Sequence, residues 1–186
     1  MAMEEQNKKE SVWDLVRFGL IAMLIVLPIR IFIAQPFVVS GSSMFPTFKN
    51  SDYLIIDEAS YHFKNPERFD VIVFHYPNDK TKYFIKRIIG LPGETVDING
   101  NSVKITNSEH PTGFTLEQPY VQNESNDYIH AVLKDGEYFV MGDNRGSSSD
   151  SRYWGPVTKN LIIGRAFLRL YPFKNMDFLP GYYQQK

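Results

Sequence analysis

Cysteine is absent from the chain, histidine occurs only four times, and neither sign of charge prevails. Without cysteine there can be no disulfide framework, a condition that suits an exported domain with a sufficient core and a cytosolic one equally. With no thiolates and only scattered imidazoles, zinc sites of the usual structural or catalytic kinds are not expected, and no other cofactor is expected either. A net charge of −1 with 22% charged residues provides no basic excess to neutralise phosphates, which argues against a nucleic-acid partner. Internal repeats and low-complexity tracts are missing as well.

Long apolar runs are also scarce. The one substantial run, Phe18 to Ile29, meets Arg30 and resumes as Ile31-Phe32-Ile33-Ala34. A helix that spans a bilayer needs about 20 mostly apolar residues, so this stretch crosses only if Arg30 lies near an end and extends its guanidinium to the interface. A buried core helix and a cleavable signal peptide compete for the same segment. Cleavage after Ala34 places the bulky Phe32 at −3, against the small-residue requirement, so an uncleaved anchor is favoured. Lys8, Lys9 and Arg17 precede the run and the next cation after Arg30 is Lys49, a bias that puts the N-terminus inside and the remaining chain outside. The expected division is a cytoplasmic tail at 1–14, a transmembrane anchor at 15–35, a β domain at 36–175 with a small insertion around 106–135, and a C-terminal tail at 176–186. A domain of about 140 residues is long enough to bury a core.

Beyond the anchor the chain reads as strands. Tyr53–Ile56, Val71–Tyr76 and Tyr83–Ile89 are rich in β-branched and aromatic residues, and the last two flank a Pro-Asn-Asp-Lys turn. Thr95–Ile105 alternates around Asn99-Gly100, the strongest short hairpin signal. Residues 106–135 are polar with scattered Gly, Pro, Asn and Ser and read as an insertion or long loop. Glu137–Met141 and Leu161–Tyr171 read as closing strands. Several short strands with regular turn signals imply an all-β domain of sandwich or folded-sheet type.

Two residues in this pattern suggest chemistry. Ser43 ends a Ser40-Gly41-Ser42-Ser43 stretch just after the anchor. It precedes Met44-Phe45-Pro46-Thr47, where Pro46 restricts the backbone. Alone, that stretch also fits a flexible junction. Lys86 lies in an apolar run where a strand puts Phe84, Lys86 and Ile88 on one face and Ile85, Arg87 and Ile89 on the other. A serine hydroxyl needs a nearby base, and lysine serves only when neutral. Its ordinary pKa must fall by roughly 3, which burial among apolar side chains can supply. Arg87 is expected to be solvated or ion-paired. The rival base is histidine, from His62, His75, His110 or His130, but none sits in a hydrolase-like motif and the Gly-x-Ser-x-Gly elbow is missing.

Three blocks occur together and in order: Ser43-Met44-Phe45-Pro46-Thr47, Lys86-Arg87-Ile88-Ile89-Gly90-Leu91-Pro92-Gly93-Glu94, and Gly142-Asp143-Asn144-Arg145 followed by Ser148-Ser149-Asp150-Ser151-Arg152. With Phe69-Asp70-Val71-Ile72-Val73-Phe74, where the usual glycine is Phe69, they resemble the type I signal peptidases. These are membrane-bound serine proteases that remove signal peptides. The resemblance extends from the apolar segment to about Phe173 and implies an all-β fold of folded antiparallel sheets, also found in self-cleaving repressors of the Ser-Lys type, behind one N-terminal transmembrane helix. It implies Ser43 as nucleophile, Lys86 as general base and Ser148 as the hydroxyl that orients the lysine amine. It also implies structural ion pairs among Asp143, Arg145, Asp150 and Arg152, and substrate pockets formed by Val39, Met44, Phe48, Phe84 and Ile85. The serine hydroxyl that many relatives carry two positions before the nucleophile is replaced by Gly41, which leaves the second oxyanion donor open. The implied partners are signal peptides of exported preproteins and membrane lipid, for a monomer on the extracytoplasmic side of the cell membrane. An apolar surface of Met44, Phe45 and Phe48 beside Ser43 is expected to face the lipid interface. A self-cleaving repressor lacks support because neither a DNA-binding domain nor an Ala-Gly site is present, and intact Ser43 and Lys86 speak against a catalytically silent homologue.

Overall fold

A computed structural model describes residues 12–24, 26, 34–123 and 125–185. Residues 12–24 form helix α1, on which Trp13, Phe18 and Leu24 are exposed. Among the described residues no helix is long and apolar enough to cross a membrane. Residue 25 and residues 27–33 of the expected anchor lie outside the described residues. The last two anchor positions belong instead to the first strand, β1 (Ala34–Val38). Gln35 precedes Pro36, and the residue before a proline is biased to extended backbone.

A large antiparallel sheet carries the domain. Its strands are β1, β2 (Tyr53–Asp57), β3 (Val71–Tyr76), β4 (Asp79–Gly90), β9 (Glu137–Met141), β10 (Val157–Thr158), β11 (Ile162–Tyr171) and β12 (Asp177–Phe178). They run in the order β1-β2-β11-β3-β4-β9-β10, with β12 paired to β11. Strand β3 sits in the middle, and its unbroken Val71-Ile72-Val73-Phe74 run follows from that position because both faces are buried. Val71 and Val73 join a cluster with Val39, Met44, Phe48, Leu54, Ile56 and Ala166. Ile72 and Phe74 join one with Ile88, Tyr138, Val140 and Val157 on the other face.

Strands β5 (Thr95–Asn99), β6 (Ser102–Thr106), β7 (Phe114–Thr115) and β8 (Tyr128–Val132) make a second sheet in the order β7-β6-β5-β8. The β5–β6 hairpin closes with Asn99 opposite Ser102, as the Asn-Gly signal suggests. The supposed loop at 106–135 therefore contributes two strands. Strand β8 escapes the pattern reading because its outward residues Tyr128 and Val132 are apolar yet exposed, so hydrophobicity does not alternate along it. Ile89, Val96, Ile98, Val103, Ile105, Leu116, Leu133, Phe139 and Met141 pack between the two sheets. Two short helices, α2 (Ser60–Phe63) and α3 (Ser151–Trp154), cover strand ends. Beyond β12 the chain folds back: Leu179 N–H bonds to Phe167 O at 2.8 Å and Tyr183 packs against the inter-sheet core.

Candidate active site

The loop from Val39 to Phe48 is closed at its base by Val39 N–H to Asp52 O (2.9 Å) and Ser51 N–H to Val39 O (2.8 Å). Met44 and Phe48 are buried to 1% and 0% exposure, so they pin the loop from beneath. Burial of such side chains is worth about 1.5–3 kcal/mol each. The expected lipid-facing trio is thus corrected: only Phe45 is exposed. Turned inward, these two side chains join the cluster of Val39, Leu54, Ile56, Val71 and Val73, where burial is worth more than exposure. Gly41 takes φ 96, in the region that favours glycine, and its N–H bonds to Asn50 Oδ1 at 3.0 Å.

Lys86 reaches this loop from β4. Its Nζ stands 2.8 Å from Ser43 Oγ and 2.9 Å from Ile85 O, and the residue is only 4% exposed. The Phe84 ring lies 5.2 Å from the amine. Burial pushes the Lys86 pKa down to about 8, although Asp150 and Asp143 pull it upward. About a tenth of such an amine is neutral at pH 7, against well under a thousandth of an ordinary lysine. Ser148 is buried, but among the described residues its Oγ has no hydrogen-bond partner and so makes no bond to Lys86 in this conformation.

The Gly142–Arg152 segment holds both loop and strand. Asn144 grips the nucleophile from behind, its N–H on Ser43 O (3.0 Å) and its Nδ2 on Ser42 O (3.1 Å). Asp143 accepts from Thr47 Oγ1 at 2.5 Å and from Arg87 Nε and Nη2 at 2.8 and 2.7 Å. Asp150 pairs with Arg152 through two 2.8 Å bonds and accepts Gly142 N–H at 3.0 Å. Arg145, expected in an ion pair, instead donates to Gly142 O and Gln118 Oε1, both neutral acceptors. The two neighbouring carboxylates are already engaged, Asp143 by Arg87 and Asp150 by Arg152, and burial lowers the Arg145 pKa. The insertion supplies further braces: Asn123 Nδ2 to Asn144 Oδ1 (2.6 Å) and Asp127 to Arg152 (2.6 Å). Thr47, Asn144, Gln118, Asn123 and Asp127 are not singled out by the sequence; for Thr47 and Asn144 the available signal is their place inside two of the motif blocks.

Beside Ser43 and Lys86 runs a groove of about 670 Å³, walled by Phe37–Ser43 on one side and Thr81–Lys86 on the other. Among the described residues β1 pairs only with β2, and β4 meets β9 only from Arg87 onward, so the end of β1 and the Thr81–Lys86 part of β4 present unpaired strand edges to the groove. Val39, Phe84 and Ile85 line the groove, together with Leu54 and Val73, which the sequence does not suggest. Met44 and Phe48 lie in the cluster below it and do not line it. None of the four histidines lines it, so the Ser-His alternative is not assembled. Among the described residues no three His, Asp or Glu side chains converge to hold a metal.

The site thus sets a hydroxyl beside a buried amine at an open groove. Comparison with known proteins identifies the family. The family model described as "Signal peptidase, peptidase S26" matches residues 12–171. Among curated proteins, "Probable signal peptidase I-1" of Synechocystis sp. is 36% identical over 174 residues, covering 87% of this chain and 86% of its own length. "Signal peptidase I" of Leptolyngbya laminosa is 40% identical over 169 residues, covering 86% of this chain and 79% of its own. "Signal peptidase I S" of Bacillus subtilis is 33% identical over 189 residues, covering 95% of this chain and 98% of its own. The chain belongs to the signal peptidase S26 family and is an enzyme of the signal peptidase I class.

Proposed function

We propose that this peptidase is a membrane-anchored Ser-Lys endopeptidase that cleaves signal peptides from exported preproteins after small residues at −1 and −3. The observation that carries this reading is the 2.8 Å approach of the Lys86 amine to Ser43 Oγ in a site where burial disfavours the cation. Neutral Lys86 takes the Ser43 proton as Oγ attacks the scissile carbonyl. The resulting ammonium then gives that proton to the departing amine, leaving an acyl-enzyme. Lys86 next deprotonates a water that attacks the ester carbonyl, and the ammonium returns that proton to Ser43 Oγ as the acyl–oxygen bond breaks, which releases the signal peptide and restores the free hydroxyl and neutral amine. Among the described residues no acceptor takes the Ser43 N–H, so it is the first donor for the tetrahedral oxyanion. Ser148 turns about its Cα–Cβ bond to orient the amine during this cycle; its unpartnered hydroxyl is free to do so.

The substrate adds as a strand between β1 and β4, where main-chain hydrogen bonds supply affinity. Val39, Phe84 and Ile85 at the groove leave little volume for side chains, which favours alanine; Met44 and Phe48 support that floor from below. The N-terminal segment anchors the enzyme with the β domain on the extracytoplasmic side as a monomer, without a cofactor. Support comes from the apolar run and the cation bias before it.

The decisive assay is cleavage, in detergent or lipid, of a preprotein bearing an Ala-x-Ala site. Ser43→Ala is expected to abolish it and Ser42→Ala to leave most of it; the opposite pattern rejects Ser43 as nucleophile. Topology is read by external protease on right-side-out membranes, which is expected to destroy the β domain. Full protection of that domain rejects the orientation.

A further inference from the structure

The family match ends at residue 171, yet the chain beyond it touches the catalytic architecture. The Gly181 carbonyl accepts a 2.5 Å bond from Arg87 Nη1, the residue next to Lys86 on β4. Gly181 has φ 78, and a Cβ there would press on the Thr47 methyl and on Arg87, so the backbone lies directly against the nucleophile loop. Two residues on, the Tyr183 ring meets Phe69 edge-on at 5.0 Å and Tyr120 at 5.7 Å, and the Tyr120 ring stacks 4.0 Å from the Arg87 guanidinium. Tyr183 OH bonds to Glu117 at 3.2 Å, and Gln185 Nε2 to Thr115 O at 3.3 Å.

Phe69 itself is informative. It sits at φ 71, where glycine is at ease and phenylalanine is not, and its carbonyl accepts a 3.0 Å bond from Arg87 Nη1. A strained residue persists when its side chain is used, and here the ring is the seat for Tyr183 and Tyr120.

We infer that residues 179–185 form a clasp that positions the catalytic pair: Tyr183 docks on Phe69, Gly181 holds Arg87, and Arg87 through Asp143 holds the nucleophile loop at Thr47. Arg87 shares a strand with the base, while Asp143 and Asn144 hold the loop with the nucleophile. A shift of Arg87 therefore changes the distance between the two reacting groups. Phe69, Gly181 and Tyr183 touch no substrate and are positioning residues.

This inference rests on the Ser-Lys reading, and the experiment separates the two. Full-length enzyme is assayed for preprotein cleavage, with rates expressed per folded molecule from the near-UV circular dichroism amplitude. Tyr183→Ala is expected to lower kcat about tenfold and to change KM by less than about twofold, because misplacing catalytic groups affects turnover before binding. Tyr183→Phe, which keeps the ring, is expected to retain wild-type kcat. Phe69→Gly relieves the backbone strain and is nevertheless expected to lose kcat like Tyr183→Ala, and the double variant is expected to be no worse than the more impaired single variant, since both remove the Tyr183–Phe69 contact. If Tyr183→Ala does not fold, Gly181→Ala takes its place with the same expected loss. Wild-type kcat per folded molecule in Tyr183→Ala, Phe69→Gly or Gly181→Ala, a loss in Tyr183→Phe as large as that in Tyr183→Ala, or losses that multiply in the double variant, overturns the clasp. Residual cleavage by the parallel Ser43→Ala control overturns the Ser-Lys reading instead, whatever the tail variants do.

Discussion

Lys86 and Arg87 are neighbours on β4, both cations and both withdrawn from water, and the fold treats them in opposite ways. On one face Lys86 is given a hydroxyl, a carbonyl and an aromatic ring, with no carboxylate bonded to it, and its charged form is disfavoured. On the other face Arg87 is given a bidentate carboxylate, two carbonyls and a stacked ring. The difference separates chemistry from structure at a spacing of one residue. A strand is the element that permits this, because successive side chains point into different environments. The residue types suit these separate roles, since arginine holds its charge and offers a planar fork, whereas lysine gives up its proton when buried.

The contrast is broken most severely by making the two alike. Lys86→Arg is expected to cut preprotein cleavage by at least about a thousandfold, since guanidinium does not deprotonate in the useful range. Near-normal turnover in that variant would rule out lysine as the base. The reverse change, Arg87→Met, is expected to cost about 3–5 kcal/mol in chemical denaturation, because it leaves Asp143 buried and unpaired. A cost under about 1 kcal/mol would show that water reaches the pair.

Lys86→Met sharpens the comparison, for it is expected to remove activity while stabilising the fold. The native pKa of about 8 lies below the ordinary lysine value of 10.5. The unfolded chain therefore binds more protons between these values, and wild-type stability rises with pH across that window. Below pH 8 the buried amine costs about 3 kcal/mol, which methionine is expected to recover in large part. The advantage of the variant is expected to shrink as pH rises from 8 to 10.5. An advantage independent of pH would assign the effect to packing. For the wild-type enzyme the same value predicts that kcat/KM rises with pH and reaches half its plateau near pH 8. The smallest effect is expected for Ser148→Ala: a stability change within about 1 kcal/mol, since an unpaired hydroxyl is lost, and a fall in kcat if the hydroxyl orients Lys86. An unchanged kcat would confine Ser148 to packing.

How much of this is legible in the sequence differs by region. The Lys86 face is readable because a cation in a β-branched run has a strand-period consequence, and the Ser43 and Lys86 blocks locate the pair. The central strands are readable from composition, since β3 is buried on both faces. Strand β8 is not, because it covers a neighbour with Ile129 and Ala131 and presents Tyr128 and Val132 outward. Met44 and Phe48 are misplaced by a sequence reading since periodicity does not exist in a turn, and only packing decides which side of a loop is inside. Contacts such as Gly181 to Arg87 join residues 94 apart, a separation over which no local pattern carries information.

Gly142 has a wider consequence. A methyl group at that position would run into the Ser43 carbonyl and the Ser148 side chain, so main chain lies directly against main chain behind the nucleophile. The hydroxyl is thereby located in part by close backbone approach. The tolerance for change at residue 142 is narrowed to the one amino acid that adds nothing.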